Sequence, residues 1–280
     1  MIGLILTEIG TFFSEISSSF GKWEVLNKKE NIYTFGFLNS FWVLFIFIIL
    51  AIIKNSFIFN PASIPILSLL IILEIMQTYS TLHAIVEADR STFGFLMIGT
   101  IPLLLVVDTI LGYEINFFNL FGISVIILGL IILLFNHGIN KKGIGYVIFS
   151  TINAVATISI YKYCITHYNS VEAQQIITHI FLIIFLFIMS MWKFKENPLI
   201  YLLKKNFFIQ SISNAAGGAI LGIAYAYAPA SIITSGKRAF SVLLAIISGN
   251  KYFHEKHLLI KIISFIFIII GLMLLTIKIA

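Results

Sequence analysis

The chain has one cysteine and few charges. Of its 280 residues, 11% are Asp, Glu, Lys or Arg and 59% are hydrophobic, and the mean hydropathy is +1.03. The lone cysteine, Cys164, excludes a disulfide within the chain and a cysteine metal cluster. Charge this sparse excludes an ordinary soluble domain. The composition predicts a polytopic membrane protein, whose net charge of +6 reflects loop lysines and not a nucleic-acid-binding stripe.

The first residues also lack the basic segment and the small-residue cleavage site of a signal peptide. The segment "MIGLILTEIGTFFSEI" carries Glu8 and Glu15, so we expect a retained first helix. The sequence has no phosphate-binding glycine loop and no Ser/His/Asp set. The "HEKH" segment (254–257) lacks the spacing of a zinc-binding helix and is predicted to be a solvated loop. We therefore expect no enzymatic activity and no cofactor.

Ten apolar runs have the length of a membrane-spanning helix, roughly 18 to 24 residues. Short connections between them favour a compact bundle of antiparallel neighbours. The expected fold class is an all-α integral membrane protein with ten transmembrane helices. The predicted helices are 2–21, 33–53, 63–86, 91–111, 116–135, 143–164, 172–192, 206–227, 230–249 and 258–277.

The two halves of the chain resemble each other weakly when one is shifted by about 140 residues. An odd number of helices in each half would place the halves in opposite membrane orientations, as inverted repeats. We therefore predict one membrane domain made of two five-helix repeats, 1–138 and 139–280. The matched pairs are Lys22 with Lys162, Ala88 with Ala228, Ser91 with Ser231, Glu114 with Glu255, and Gly129 with Gly271.

On these features the chain resembles the drug/metabolite transporter superfamily, particularly its EamA-like ten-helix members. The resemblance covers almost the whole chain and implies a secondary transporter that works by alternating access. The segment "TSGKRAFSVLLAI" is also similar to the ninth helix of nucleotide-sugar transporters, in which a lysine lies in the substrate cavity. That similarity carries over only to Lys237, with Arg238 beside it, and the second helix has no companion nucleotide-binding motif.

Lys237 and Arg238 are the cations that most need an explanation. Each charge at the centre of a spanning helix costs about 3 kcal/mol on insertion scales. Lys237 lies roughly 10 Å into the ninth predicted helix at 1.5 Å per residue. Adjacent residues point about 100° apart, so we expect one of the two in a cavity and the other paired. Two interpretations stay open, a site for an anionic substrate and a structural ion pair.

The first helix offers carboxylates that could act as partners. Glu8, Thr11, Glu15 and Ser18 form a polar stripe that is predicted to face away from lipid. The stripe is either a cation site or proton relay, or it neutralises Lys237 or Arg238.

Further polar residues are predicted to line a cavity between the repeats. Glu74 in the third helix corresponds to Asn214 in the eighth, and Asn153 lies on a polar face of the sixth. Tyr225 is either an aromatic cavity wall or part of an interfacial belt.

The leading functional hypothesis is a secondary transporter of a small polar metabolite. The substrate would be an anion if Lys237 faces the cavity, whereas glutamates there would favour an amine or a coupling proton. The alternative is a non-transporting membrane scaffold or subunit whose charges are structural pairs. Expected partners are the lipid bilayer, a small-molecule substrate and a coupling proton or exchanged metabolite, with no nucleic acid.

Composition suggests a bacterial plasma membrane. The positive-inside rule places both termini outside, whereas the family resemblance implies the reverse.

Overall fold

The computed structural model describes residues 2–110, 117–135, 139–227 and 230–275, which form an all-α structure. Helices α4 and α5 follow each other through Ile98 and Gly99 as one broken helix, so the eleven α-helices of the described residues count as ten. Each coincides with one of the predicted runs. The helices are α1 (Ile2–Leu26), α2 (Ile32–Lys54), α3 (Ile64–Glu87), α4 (Arg90–Met97), α5 (Thr100–Ile110), α6 (Phe117–Phe135), α7 (Ile144–His167), α8 (Val171–Phe194), α9 (Lys205–Tyr227), α10 (Ala230–Phe253) and α11 (Leu258–Leu275).

Six of these helices are long and apolar enough to cross a membrane. They are α2, α3 with its preceding 3₁₀ turn, α4 together with α5, α7, α8 and α9. Helices α1 and α10 are not among the six, and both carry the ionisable residues described below. The chain therefore has the architecture of a multi-pass membrane protein, as its composition predicts.

Side-chain caps set the ends of two long helices. At the start of α2, Asn31 Oδ1 accepts hydrogen bonds from the backbone amides of Tyr33 and Thr34, at 2.8 and 2.9 Å. At the start of α8, Ser170 Oγ accepts from the amide of Ala173 at 3.2 Å. These caps satisfy backbone donors that the first helical turn leaves free.

Close helix contacts occur where glycines face each other. A Cβ atom on Gly10 of α1 would lie 2.9 Å from the carbonyl oxygen of Gly217 in α9, and one on Gly217 would lie 2.6 Å from that of Gly10. At the contact between α6 and α11, a Cβ on Gly129 would lie 3.1 Å from the carbonyl oxygen of Ser264. Small residues allow the backbones to approach this closely, which is how helices gain packing energy in lipid.

The main packing partners are α1 with α9 and α10, α2 with α8 and α9, α3 with α7 and α8, and α6 with α11. Helix α10 also packs on α4 and α5, which in turn pack on α7. The loops after α1, α6, α8 and α10 lie at one face of the bundle, because Glu30 lies near Glu196, and Lys22 lies near both Lys142 and Glu255. This face is called the lysine-rich face here. Its lysines are Lys28, Lys29, Lys141, Lys142, Lys195, Lys204 and Lys256.

Candidate functional site

A cluster of ionisable side chains lies inside the bundle, between α1, α3, α4 and α10. Arg90, the first residue of α4, is completely buried, and its guanidinium donates to Glu15 Oε2 of α1. Ser241 of α10 donates to the other oxygen of the same carboxylate at 2.5 Å. Glu15 therefore connects three helices that are far apart in sequence.

The two adjacent cations of α10 have different surroundings. Arg238 is buried, and its Nε donates to Thr100 Oγ1 of α5 at 3.2 Å. Lys237 is half-buried and interacts electrostatically with Glu15 and with Glu74 of α3. Among the described residues, the ammonium of Lys237 forms no hydrogen bond and no ion pair within 4.0 Å. One cation is thus bonded, while its neighbour keeps its three donor positions available to a ligand or to water.

Tyr225 belongs to the same region. It is 7% exposed, so it lies inside the bundle and is not part of an interfacial belt. Its hydroxyl is 3.1 Å from the Thr234 hydroxyl of α10, and its ring packs edge-to-face against Tyr161 with centroids 5.9 Å apart. The charges of Glu74 and Arg238 both act on Tyr225, which places the phenol beside the cluster.

The two predicted amide residues differ in their hydrogen bonding. Asn153 of α7 donates to the carbonyl of Leu73 at 2.9 Å and to Gln77 Oε1 at 3.0 Å. Both acceptors belong to α3, so Asn153 fixes α7 to the turn that carries Glu74. Asn214 is half-buried and makes no hydrogen bond with the described residues.

The predicted polar stripe of α1 is wrong at Glu8, which is exposed on the surface of the helix. The buried face of α1 instead carries small residues, including Gly3, Gly10 and Ser17, and Gly10 allows the close contact with α9. Glu15 is covered only because Arg90 and Ser241 reach it from neighbouring helices.

The prediction of a solvated "HEKH" loop is wrong at Glu255, which is 9% exposed. Its carboxylate accepts from the backbone amides of Arg90 at 2.5 Å and Ser91 at 3.2 Å, and from the Ser91 hydroxyl. Lys261 of α11 donates to it at 3.0 Å. Burial acts to raise the pKa of Glu255, but the hydrogen bonds from Ser91 and the ammonium of Lys261 outweigh it and lower that pKa.

Glu255 is therefore the N-terminal cap of α4 and positions Arg90 for Glu15. Asp89, the residue directly before α4, makes no side-chain capping bond. No local pattern reveals a cap supplied from 165 residues further along the chain. The residue that corresponds to Glu255 in the predicted repeat, Glu114, lies outside the described residues. Ala228 and Pro229 also lie outside them.

Two lysines donate hydrogen bonds to carbonyl oxygens at the C-terminal ends of other helices. Lys22, near the end of α1, donates to the carbonyl oxygen of Ala88, which follows α3. Lys162 of α7 donates to the carbonyl oxygen of Tyr225 near the end of α9, at 2.7 Å. A cation at a helix C-terminus satisfies free carbonyls and complements the helix dipole.

Two grooves open on the surface of the bundle. One, of about 410 Å³, runs between α1 and α10; Glu15 and Ser248 lie among its aromatic and aliphatic walls. The other, of about 810 Å³, lies between α3, α7 and α8 and includes Tyr79 and Tyr146. Among the cluster residues, Glu15 belongs to the lining of the first of these grooves.

No protein-family model matches the sequence, and no curated protein matches it. The described part of the chain also contains no group of three or more His, Cys, Asp or Glu side chains placed to hold a metal ion.

Proposed function

We propose that this protein is a secondary transporter that moves a small polar metabolite across the membrane by alternating access of two inverted five-helix halves. The observation that carries the proposal is Lys237, a cation inside the bundle that has a carboxylate nearby but no bonded partner among the described residues. Ionisable groups inside membrane helices are costly, and they concentrate at substrate and ion pathways.

The packing of the helices supports two equivalent halves. The counterparts of α1, α2, α3, α4 with α5, and α6 are α7, α8, α9, α10 and α11, in that order. When each helix is exchanged with its counterpart, the contact of α1 with α9 becomes the contact of α7 with α3. The same exchange turns α2 with α9 into α8 with α3, and α1 with α10 into α7 with α4 and α5. The contacts of α2 with α8 and of α6 with α11 map onto themselves. Inverted halves that meet around a central site are the arrangement that alternating access requires.

Individual residues follow the same exchange. Lys22 and Lys162 both bond carbonyls where the third helix of a half ends. Gly129 and Gly271 both lie in the contact between the last helices of the two halves. These correspondences agree with the residue matches found in the sequence.

The charges of the cluster favour an anionic substrate. Arg90 is bonded to Glu15 and Arg238 to Thr100, whereas the ammonium of Lys237 is repelled by Arg238 and attracted by Glu15 and Glu74 without a direct bond among the described residues. A carboxylate or phosphate could bind Lys237 directly and form charge-assisted hydrogen bonds. Glu74 would neutralise the lysine when the site is empty, so that an empty carrier can also change conformation.

A ligand screen tests this proposal. The melting temperature of the purified protein would be measured with amino acids, amines, sugar phosphates and nucleotide sugars. Ligands that bind only the native state raise the melting temperature. We expect stabilisation by a subset of anions, its loss in Lys237→Ala and its retention in Lys251→Ala, which removes an exposed lysine of the same helix. Stabilisation by amines alone, or anion binding unaffected by Lys237→Ala, would contradict the proposal.

One observation favours a non-transporting scaffold. The ion pair of Arg90 with Glu15 joins α4 to α1 and is well suited to a structural role. A scaffold predicts that neutral residues can replace the central charges, because buried ion pairs contribute little net stability. Cells that carry Glu15→Gln, Arg90→Gln and Lys237→Met together would then keep the wild-type phenotype, whereas a transporter would lose it.

A further inference from the structure

A second group of buried polar side chains lies at the lysine-rich face, away from the central cluster. Glu30, in the loop between α1 and α2, is only 4% exposed, and neither of its carboxylate oxygens has a hydrogen-bond partner. Gln210 of α9 is 1% exposed, and both its amide oxygen and its amide nitrogen also lack a partner. The amide lies beside the Glu30 carboxylate, outside hydrogen-bond geometry.

The charges around Glu30 are mostly negative. Glu24 of α1 is 2% exposed, and Glu196 follows α8; both carboxylates act on Glu30 electrostatically. Tyr201, in the turn before α9, is the other titratable neighbour. The nearby cation, Lys29, pairs with Glu24 at 3.4 Å, and no ion pair of the described residues includes Glu30.

An ionised Glu30 would be unfavourable in this position. A buried carboxylate without donors loses hydration that nothing replaces. An ionised carboxylate is also an acceptor only, so it could take a hydrogen bond from Gln210 Nε2 but give none to Gln210 Oε1. A neutral carboxylic acid satisfies both atoms, because its O–H donates to Oε1 while its carbonyl oxygen accepts from Nε2.

We infer that Glu30 and Gln210 form a proton-binding site at the lysine-rich face, in which the neutral acid pairs with the amide through a small rotation of the two side chains. The proton comes from water and returns to it, and no other bond changes. Burial supports this site by raising the pKa of Glu30 to about 8; the contact with Gln210 acts in the opposite direction, and the charges of Glu24 and Glu196 raise it further. Glu30 would then be protonated at neutral pH and lose its proton in mildly alkaline conditions.

A metal ion is the competing occupant. It would require several oxygen ligands around one point, and the described residues contain no group of three or more acidic, His or Cys side chains so placed. A sodium ion held by the same two side chains would need the ionised form of Glu30. A bound proton therefore requires the neutral form of the Glu30 carboxyl group, whereas a bound sodium ion requires the ionised form.

The proton site does not depend on the proposed transport activity. If the protein does transport, the site lies between the loop after α1 and the start of α9, one helix from each half. Opening of the lysine-rich face would expose Glu30 to water and release its proton. The proton would then be the coupling ion.

Infrared difference spectroscopy of the full-length protein in lipid tests the inference. The band of a protonated carboxyl group would be recorded between pH 5 and 10 for the parent and for Glu30→Gln, with Glu87→Gln as a control at a half-exposed carboxylate. We expect the parent to show, at pH 7, a protonated carboxyl contribution that is missing from Glu30→Gln, is retained in Glu87→Gln and titrates with a midpoint of about 8. Identical bands in the parent and in Glu30→Gln would overturn the site.

A second variant separates loss of the site from loss of folding. Gln210→Leu keeps the acid but removes its partner, so the band should shift in frequency and remain. An unchanged frequency in Gln210→Leu would refute the pairing.

The parent is also measured in sodium and in choline buffer. A protonated band that appears only without sodium would show that the site holds Na⁺ and overturn the inference. None of these results depends on substrate movement, so a failure here leaves the transport proposal in place.

Discussion

Replacing Glu255 by alanine should destabilise the protein more than any ordinary loop substitution. The change removes the acceptor for two backbone amides and one hydroxyl at the start of α4. It also leaves Lys261, whose side chain is 4% exposed, without its partner. Loss of a helix cap costs about 1 kcal/mol. Loss of one partner of a buried ion pair costs about 3–5 kcal/mol.

These two contributions share atoms and are not additive, so we expect a total loss of about 3–5 kcal/mol. Glu255→Gln keeps an acceptor oxygen for the amides but loses the charge, and it should fall between the parent and Glu255→Ala. The double variant Glu255→Ala with Lys261→Met should recover part of the loss, because no unpaired charge stays buried. Lys256→Ala, an exposed neighbour in the same loop, should change stability by less than about 0.5 kcal/mol.

The assay is equilibrium unfolding in mixed micelles with increasing denaturing detergent, followed by circular dichroism. Measurements at several pH values add a second criterion. The folded state lowers the pKa of Glu255 below 4.5, so its stabilisation is present above pH 4.5 and is lost as the pH falls through the folded-state pKa. Equal stabilities of Glu255→Ala and Lys256→Ala, or acid sensitivity that persists in Glu255→Ala, would refute the capping role.

Three further substitutions test the packing and the buried acid. Gly217→Ala would place a Cβ atom 2.4 Å from Ser14 Oγ and 2.6 Å from the Gly10 carbonyl oxygen, so we expect a loss of about 1–3 kcal/mol in the same unfolding assay. Gly145→Ala, with nothing within 4 Å of the added atom, should have little effect, and equal effects of the two changes would contradict the packing. The raised pKa of Glu30 means that stability falls as the pH rises from 4.5 to about 8, by at most about 1.4 kcal/mol per pH unit. Thermal unfolding of Glu30→Gln should lack this slope, and equal slopes in parent and variant would count against the buried acid.

The helices could be predicted from the sequence because the membrane requires long apolar runs with short connections. The ends of the helices are less predictable. Hydropathy predicts that helix α1 ends at residue 21, whereas the helix continues to Leu26. The reason is that the Lys22 ammonium donates to the carbonyl oxygen of Ala88 and lies 5.1 Å from the ring centroid of Phe253. Such contacts come from distant parts of the chain, so hydropathy carries no signal of them.

The central site could be predicted only in part. Lys237, Arg238, Glu15, Glu74 and Tyr225 stood out as polar residues in apolar helices, and the structure brings these five into one region. Their pairing was not predictable, because helix periodicity gives the face of a residue but not the neighbour that covers it. For that reason helix periodicity groups Glu8 with the cluster, although Glu8 is exposed in the structure.

Residues in loops were missed for a related reason. Arg90, Glu255 and Glu30 lie next to predicted loops, where charged residues are usually solvated. In the structure all three are buried, because the short loops of the lysine-rich face pack on one another. A buried charge in a loop can be recognised only once its partners are known.

Alternating access of Lys237 is the central claim, and cysteine accessibility tests it most directly. The native Cys164 is completely buried and would be replaced by serine, so that Lys237→Cys supplies the one thiol of the protein. A membrane-impermeant thiol reagent is then applied to right-side-out and to inside-out vesicles. The account predicts labelling from both sides, in separate conformations of the same site. Labelling from neither side, or from one side alone, would contradict it.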